Sequence, residues 1–532
     1  FPGVGEFSIW EFSGQIQYFA TYEHFIWDIS AIHIVVFSLK DTYETQMEQV
    51  CYWLNFIHTV SAEKEPIGFA AVPVHKPTVL LVATHADIVN SPRAFSGEYV
   101  SGVGSVVFHE MKNKRMFSTF PVLTWQQFLD GVHRDLNPLV SQDHLREITQ
   151  QLHCLGEVVC FETDVLQDLI VIDPKWLCTS LIGQLLSHDS MDQSCLAGCF
   201  SFSHVQLYFP ETDAVDIFQL LEAMDMCTHS PRGGMYEFPC VIHGEPVHNL
   251  WEVGEGARRN LVYGGVRMLA PGQVCPLPEG LFPRLQVCLR RCYQMETEEQ
   301  QEPVILWYRG AKCNIGRAEA MISLSDDGKA LEVVVRGLSD SRKETFRILE
   351  ELMGIVYQVL SDVYPGLFLV KHVLSPSQLK SHDANITSYS FASILASQGE
   401  DNTLKPNDDR GVEESFSDVF CFGSEEVFSR ASVGRDIHVS YLSTHTRREL
   451  CRMLDPPDPM GRDWCLLAIS LGLMESLPQL DTSSSPQGSP TDRTLQLWGS
   501  RESSTIGTLL DCLKTLGRKD VVDVIMSEAP LF

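Results

Sequence analysis

The chain has 532 residues, of which 44% are apolar, and its 69 acidic against 40 basic residues leave a net charge of −29. That length exceeds what one hydrophobic core supports, so several domains are expected. The acidic balance argues against nucleic acid or an anionic membrane surface as the main partner, because both demand a dense basic footprint.

Residues 1–117 alternate strand and helix. Phe7 to Trp10 is a short strand candidate, and a start at Phe1 in strand-like sequence suggests a piece of a longer protein. Ile32 to Leu39 is a near-continuous apolar run, the pattern of a buried parallel strand. Gln46 to Val60 reads as a helix with Met47, Val50, Leu54 and Ile57 on one face, and Thr78 to Ala83 as a second buried strand. Strand, helix, strand in this order predicts the βαβ unit of a doubly wound sheet.

Residues 118–380 are mixed α+β. Helical spacing joins Phe128, Val132 and Leu136, then Leu145, Ile148, Leu152 and Leu155, before a stop at Gly156. Val304 to Tyr308 reads as a strand, Asp326-Asp-Gly328 as a hairpin turn, and Phe346, Leu349, Met353, Val356 and Leu360 as one face of a long helix. The polar, acidic stretch within 381–432 reads as a flexible linker. In 433–532, apolar faces at Leu450 to Leu454, Trp464 to Leu471, Ile506 to Leu516 and Val521 to Ile525 predict a helical bundle, with a loop at Ser483 to Pro490. The 16 cysteines show no zinc-ligand spacing, and the pairs Cys195/Cys199 and Cys288/Cys292 read as reduced thiols, so no metal is expected. No apolar run is long enough to span a bilayer, and Trp464 to Met474 reads as a core helix. The sequon at Asn385 is read as a chance match in a cytoplasmic protein.

Four constellations stand out. Glu11-x-x-Gly14 followed by Gln15 resembles the Asp-x-x-Gly motif of Ras-like GTPases. Thr84-His85-Ala-Asp87, at the end of a strand, resembles the guanine-reading Asn-Lys-x-Asp. Ligands of such sheets bind beyond the carboxyl ends of the strands. The phosphate-cradling GxxxxGK[ST] loop is missing, so the nucleotide site is expected to be degenerate and to do no catalysis. Leu152 to Val158 with Ile170-Val-Ile-Asp-Pro-Lys-Trp176, and Val262-Tyr-Gly-Gly-Val266, resemble the COR region of Roco proteins. Asp173 there is read as a helix N-cap and not as a catalytic acid.

The fourth, Thr446-Arg-Arg-Glu-Leu450, Leu454-Asp-Pro-Pro-Asp458, Asp463-Trp-Cys-Leu-Leu467, Gly507 to Leu510 and Gly517 to Asp520, resembles a death domain. The series resembles the C-terminal part of the death-associated protein kinases of the Roco family. It implies an incomplete Ras-like doubly wound sheet (1–117), a COR-like domain (118–380), a linker (381–432) and a six-helix death-domain bundle (433–532). It further implies a non-catalytic portion of a serine/threonine kinase that acts in apoptotic and autophagic signalling. No cofactor is expected for this chain, GTP with magnesium belonging to a complete parent. Arg447, Arg448, Arg452, Arg518 and Lys519 are the basic candidates for meeting other signalling proteins. Dimerisation through the COR-like region, cytoskeletal association and a nucleotide-binding Roc-COR module remain open expectations. The first 117 residues alone are expected to be poorly soluble, because an incomplete parallel sheet leaves edges and apolar faces uncovered.

Overall fold

The computed structural model describes residues 9–26, 31–60, 78–85, 120–135, 139–154, 156–161, 168–187, 198–230, 233–244, 250–251, 259–270, 276–293, 304–367, 369–383, 385–397, 403–406, 413–429, 434–442, 444–458, 460–480, 489–501 and 503–526. Strands Ile32–Ser38 and Thr78–Thr84 pair in parallel, with helix Tyr43–Val60 between them in sequence. The βαβ unit is therefore present. Its strands are less buried than their apolar runs predict. Val35 is buried, but Ile34 and Val36 are each 58% exposed and Leu81 is 53% exposed. A parallel sheet is buried only when helices cover both faces, and among the described residues one helix accompanies this pair. The strand expected at Phe7 to Trp10 is not seen at Ile9 and Trp10, and its first two residues lie outside the described residues.

The helix buries only part of the face its spacing suggests, Ile57 being buried and Val50 half-buried. Met47 and Leu54 are exposed, while Phe56, Ile57, Thr59 and Val60 are buried. These four cluster at the C-terminal end, where the helix meets the next domain. Phe56, Ile57 and Val60 share a core with Leu281, Phe282 and Leu285, and the Gly366 N–H donates to the Thr59 carbonyl at 3.0 Å. The buried residues Tyr22, Ile26, Val35, Phe56, Ile57 and Val60 of this segment thus pack into the core of its neighbour.

The described residues of the COR-like region hold three sheets, one of which pairs Met235–Glu237 with Cys199–Ser201 and Thr228–His229. A small antiparallel one centres on Leu169–Val171, flanked by Val122–Thr124 and Val159–Phe161, under helices Trp125–Asp135 and Gln142–Cys154. Gly156 ends the second helix at φ +70°, the left-handed conformation that favours glycine. Asp173 accepts the Trp176 N–H at 3.1 Å and caps the helix that follows, as expected. The largest sheet has seven antiparallel strands, in the order Val304–Trp307, Gly310–Ile315, Ala318–Leu324, Ala330–Leu338, Leu261–Leu269, Val370–Leu374 and Ser388–Tyr389. Helices Leu281–Tyr293 and Arg342–Val363 contribute buried apolar residues to the same core, and the second buries Phe346, Leu349, Met353, Val356 and Leu360, the predicted face. The turn before Ala330 carries Gly328 at φ +67°.

The flexible linker is corrected by the structure. Within 381–432 the described residues include helices Phe391–Ser397, Phe416–Cys421 and Glu425–Phe428. Ile394, Leu404, Phe416, Val419 and Phe420 build a core against Val373 of the seven-stranded sheet. The apolar residues that do this are too widely spaced among serines and acids to give a periodic signal.

Six α-helices follow: Thr444–Leu454, Trp464–Ser470, Leu477–Leu480, Pro490–Trp498, Ile506–Thr515 and Lys519–Met526. The helix over 490–498 is an addition to the sequence reading. Ser489 caps it by accepting the Asp492 N–H at 3.1 Å, Pro490 occupies its first position, and Leu495 and Trp498 enter the core. Trp464 is 3% exposed in that core, as predicted.

Candidate interaction surface and nucleotide-site remnant

The basic candidates of the bundle separate by burial. Arg518 is a structural residue, which corrects its reading as an interaction site. Its guanidinium donates to the carbonyls of Arg462 at 2.8 Å and Met453 at 2.9 Å, and to Asp520. It ties the end of helix Thr444–Leu454 to the start of helix Lys519–Met526 and is 9% exposed. Arg447 is half-buried and lies 3.8 Å from Asp492. The side chain of Arg448 lies outside the described residues. Arg452 and Lys519 remain on the surface, Arg452 in an ion pair with Glu449 at 2.8 Å. Because Arg518 anchors on Met453, these two cations flank the same corner of the bundle, with Arg462 and its partner Asp458 nearby. Asp458 also receives the N–H groups of Met460 and Arg462. These bonds, led by the Arg462 side chain, hold its carboxyl below the usual range.

The nucleotide-type residues are placed in two separate groups. Glu11 and Gly14 are exposed, and a Cβ at Gly14 would meet nothing within 4 Å. Gln15 stands at the N-cap of the 3-10 helix Ile16–His24 without a capping side-chain bond, and its amide oxygen accepts from Gln17 at 3.0 Å. At the other group, Thr84 donates to the Phe37 carbonyl at 3.1 Å across the parallel pair. His85 has φ +62°, and its Nδ1 lies 3.1 Å from Ser38 Oγ and 3.2 Å from Thr84 Oγ1. Both side chains therefore gather at the carboxyl ends of the strands, where the fold places ligands. Asp87 lies outside the described residues.

Helix Ile16–His24, which follows Gln15, leads into a buried polar cluster that the sequence did not single out. Glu23 accepts from Arg284 Nε at 2.8 Å, and Arg284 also reaches Asp225 at 3.3 Å and His24 Nε2 at 2.7 Å. Glu23 and Arg284 are 6% and 7% exposed. Burial works against the charge on Arg284, but Glu23, Tyr364 and Asp225 more than offset it and the guanidinium stays protonated. Burial, and then the charge on Arg284, push the His24 imidazole well below its ordinary range. Glu23 and Arg284 are 261 positions apart, and no local spacing links them.

The tripeptide His133-Arg134-Asp135 matches the catalytic-loop triplet of protein kinases. Here it closes the helix Trp125–Asp135, and His133 Nε2 meets the Val140 carbonyl at 2.9 Å. It is part of a helix and not a loop, and the sequence has no Asp-Phe-Gly to complete a kinase set. Among the described residues no group of three or more His, Cys, Asp or Glu side chains is placed to hold a metal, and the cysteines are free thiols. No helix among them is long and apolar enough to cross a membrane.

The Death domain family matches residues 447–529. Over its full length the chain is 30% identical to death-associated protein kinase dapk-1 of Caenorhabditis elegans, an alignment of 597 residues that spans 42% of that protein. It is 38% identical over 92 residues to the netrin receptor unc-5 of Drosophila melanogaster, which covers 15% of this chain and 8% of the receptor. It is 24% identical over 221 residues, 32% of this chain and 10% of the relative, to roco6 of Dictyostelium discoideum, named as a serine/threonine-protein kinase. Among solved structures, Roco2 RocCORdC of Methanosarcina barkeri bound to GDP covers 43% of this chain and 78% of that one, at 15% identity and a TM-score of 0.28.

The chain thus ends in a death domain, a module that binds proteins. More narrowly, it is related along its entire length to the death-associated protein kinases, of whose worm member it spans less than half.

Proposed function

We propose that this chain is the non-catalytic regulatory and protein-binding portion of a death-associated serine/threonine kinase, and that it serves apoptotic and autophagic signalling in the cytoplasm through its death domain. The observation that carries this reading is the bundle of six helices between Thr444 and Met526, with Arg452 and Lys519 exposed at one corner. These two cations suit an acidic patch on a partner domain, where complementary charge sets encounter rate and specificity. Catalysis is assigned elsewhere in the parent, since the sequence has neither a Gly-rich kinase loop nor Asp-Phe-Gly. COR-mediated pairing of two chains and association with the cytoskeleton are further proposals for the parent.

A second reading, a nucleotide-binding Roc-COR module, is favoured by one observation, the gathering of Ser38, Thr84 and His85 at the carboxyl ends of the parallel strands. The sequence supplies no phosphate loop to complete it. Titration of the whole chain with fluorescent GTP and GDP in the presence of magnesium separates the two readings. The first predicts no saturable binding. Saturable binding that is lost in Asp87→Ala would replace it with the second.

A further inference from the structure

We propose that helix Phe391–Ser397 is an intramolecular latch: it seats on the death domain with one side and on the seven-stranded sheet unit with the other, and so sets the position and accessibility of the death domain. The functional consequence rests on the death domain being the binding module, while the latch itself rests on packing alone.

The latch is fixed at its base. Ser388 and Tyr389 form the last strand of the sheet, pairing with Leu374 and Val373. The Tyr389 hydroxyl donates to Glu414 Oε2 at 2.7 Å, while Glu414 Oε1 accepts the Ser377 N–H at 2.8 Å and the Ser375 hydroxyl at 2.9 Å. This buried carboxylate therefore ties the former linker, at Tyr389 and at Glu414 itself, to the end of strand Val370–Leu374. Ser390 then opens the helix, receiving the Ser393 N–H at 3.2 Å.

Within the helix the buried side chains go to two different cores. Phe391, 2% exposed, lies in the core of the bundle with Ile437 and Val439, and Leu395 packs against the same core. Ile394, fully buried, belongs to the core built with Val373, Leu404 and Phe420. At about 100° per residue, positions 391 and 395 share one stripe and 394 falls on the next. The helix lies against the turn Gly434–Asp436. That turn is continuous with the bundle, since the Ile506 N–H donates to Ile437 at 2.8 Å and Val439 donates to Ser504 at 2.8 Å. A helix of seven residues has too few hydrogen bonds to persist in water alone. Its order comes from the two cores it joins.

The test uses the full chain with Phe391→Asp or Ile394→Asp, and Ser393→Asp as the exposed control. Small-angle scattering reads overall size, hydrogen exchange reads local opening, and proteins retained from cell extract are identified by mass spectrometry. Both core variants are expected to expand the particle by about a tenth or more in radius of gyration, on the scale by which domains separate. Phe391→Asp is also expected to speed exchange over residues 434–442 about tenfold, with Ser393→Asp changing neither quantity. Protection retained over Ile506–Thr515 and Ala330–Leu338 shows that both units remain folded. Should it be lost, Phe391→Ala and Ile394→Val are measured instead, with the same expected directions. Unchanged size in both folded variants, or unchanged exchange over 434–442 in the Phe391 variant, overturns the latch whatever proteins are retained. Expansion without any change in retained proteins keeps the latch and overturns its link to partner binding.

Discussion

Arg284 is buried where the helix Ile16–His24, the loop at Asp225 and the sheet-covering helix Leu281–Tyr293 meet. Removing one member of a buried ion pair leaves the other charge unpaired, at a cost of about 3–5 kcal/mol. Arg284→Met is therefore expected to lower the urea stability of the chain by about that amount, and a loss below about 1 kcal/mol would contradict the assignment. His24 adds a pH dependence with a definite sign. Its folded pKa is depressed by burial and by Arg284, so on acidification the unfolded state takes up a proton first. Its contribution is complete above the ordinary histidine value of about 6.5 and declines below it, at most by about 1.4 kcal/mol per pH unit. The stability difference between the natural chain and His24→Gln, followed from pH 7.5 to 5.5, isolates this from the carboxylates and should shrink with acid. In the bundle, Arg518→Ala should cost about 2–3 kcal/mol in thermal or chemical unfolding, because it leaves buried carbonyls unanswered, whereas Lys519→Ala should stay within about 0.5 kcal/mol. Equal effects would mean that Arg518 is not the structural member of the pair.

Elements became legible where their residues repeat with a period. Helix Arg342–Val363 and the bundle helices buried most of the residues their spacing named, Met453, Leu516 and Val524 staying half-buried, and Gly156, Asp173 and Gly328 marked ends and turns through local backbone rules. Helix Tyr43–Val60 was found with only part of its inner face, Ile57 but not Met47 or Leu54, because its buried end is chosen by the neighbouring core as well as by its own periodicity. The segment 381–432 was read as polar linker because its core residues, Phe391, Ile394, Leu404 and Phe416, are isolated among serines and acids. Glycines in strands show the same limit. Val262-Tyr-Gly-Gly-Val266 pointed to a family, but the physical reason lies far along the chain. A Cβ on Gly264 would come within 2.7 Å of the Phe422 ring, and one on Gly265 within 2.7 Å of the Val333 carbonyl. Gly264→Ala should therefore cost about 1–3 kcal/mol by overpacking, read as a lowered unfolding midpoint. An unchanged midpoint would show that Phe422 does not press on that strand.

For the whole molecule, residues of the four predicted segments share cores. Phe56 and Val60 of the first pack with the second, Phe422 of the third lies over its sheet, and Phe391 of the third enters the bundle. The nucleotide-type motifs were recognisable from residue type and order. The structure adds that Gln15 begins a helix anchored through Glu23 to the COR-like core, whereas His85 stays with Ser38 and Thr84 at the open end of the parallel pair. Such long-range pairings carry no local spacing and could not be read in advance.

The central claim is that this chain works by binding proteins through its death domain. The most direct measurement compares proteins retained from cell extract by the full chain and by an Arg452→Glu, Lys519→Glu double variant, after circular dichroism and thermal unfolding show the same fold in both. The account predicts a defined set of proteins on the natural chain that is lost or strongly reduced on the variant. An identical set on both, or no retained protein on either, would contradict it.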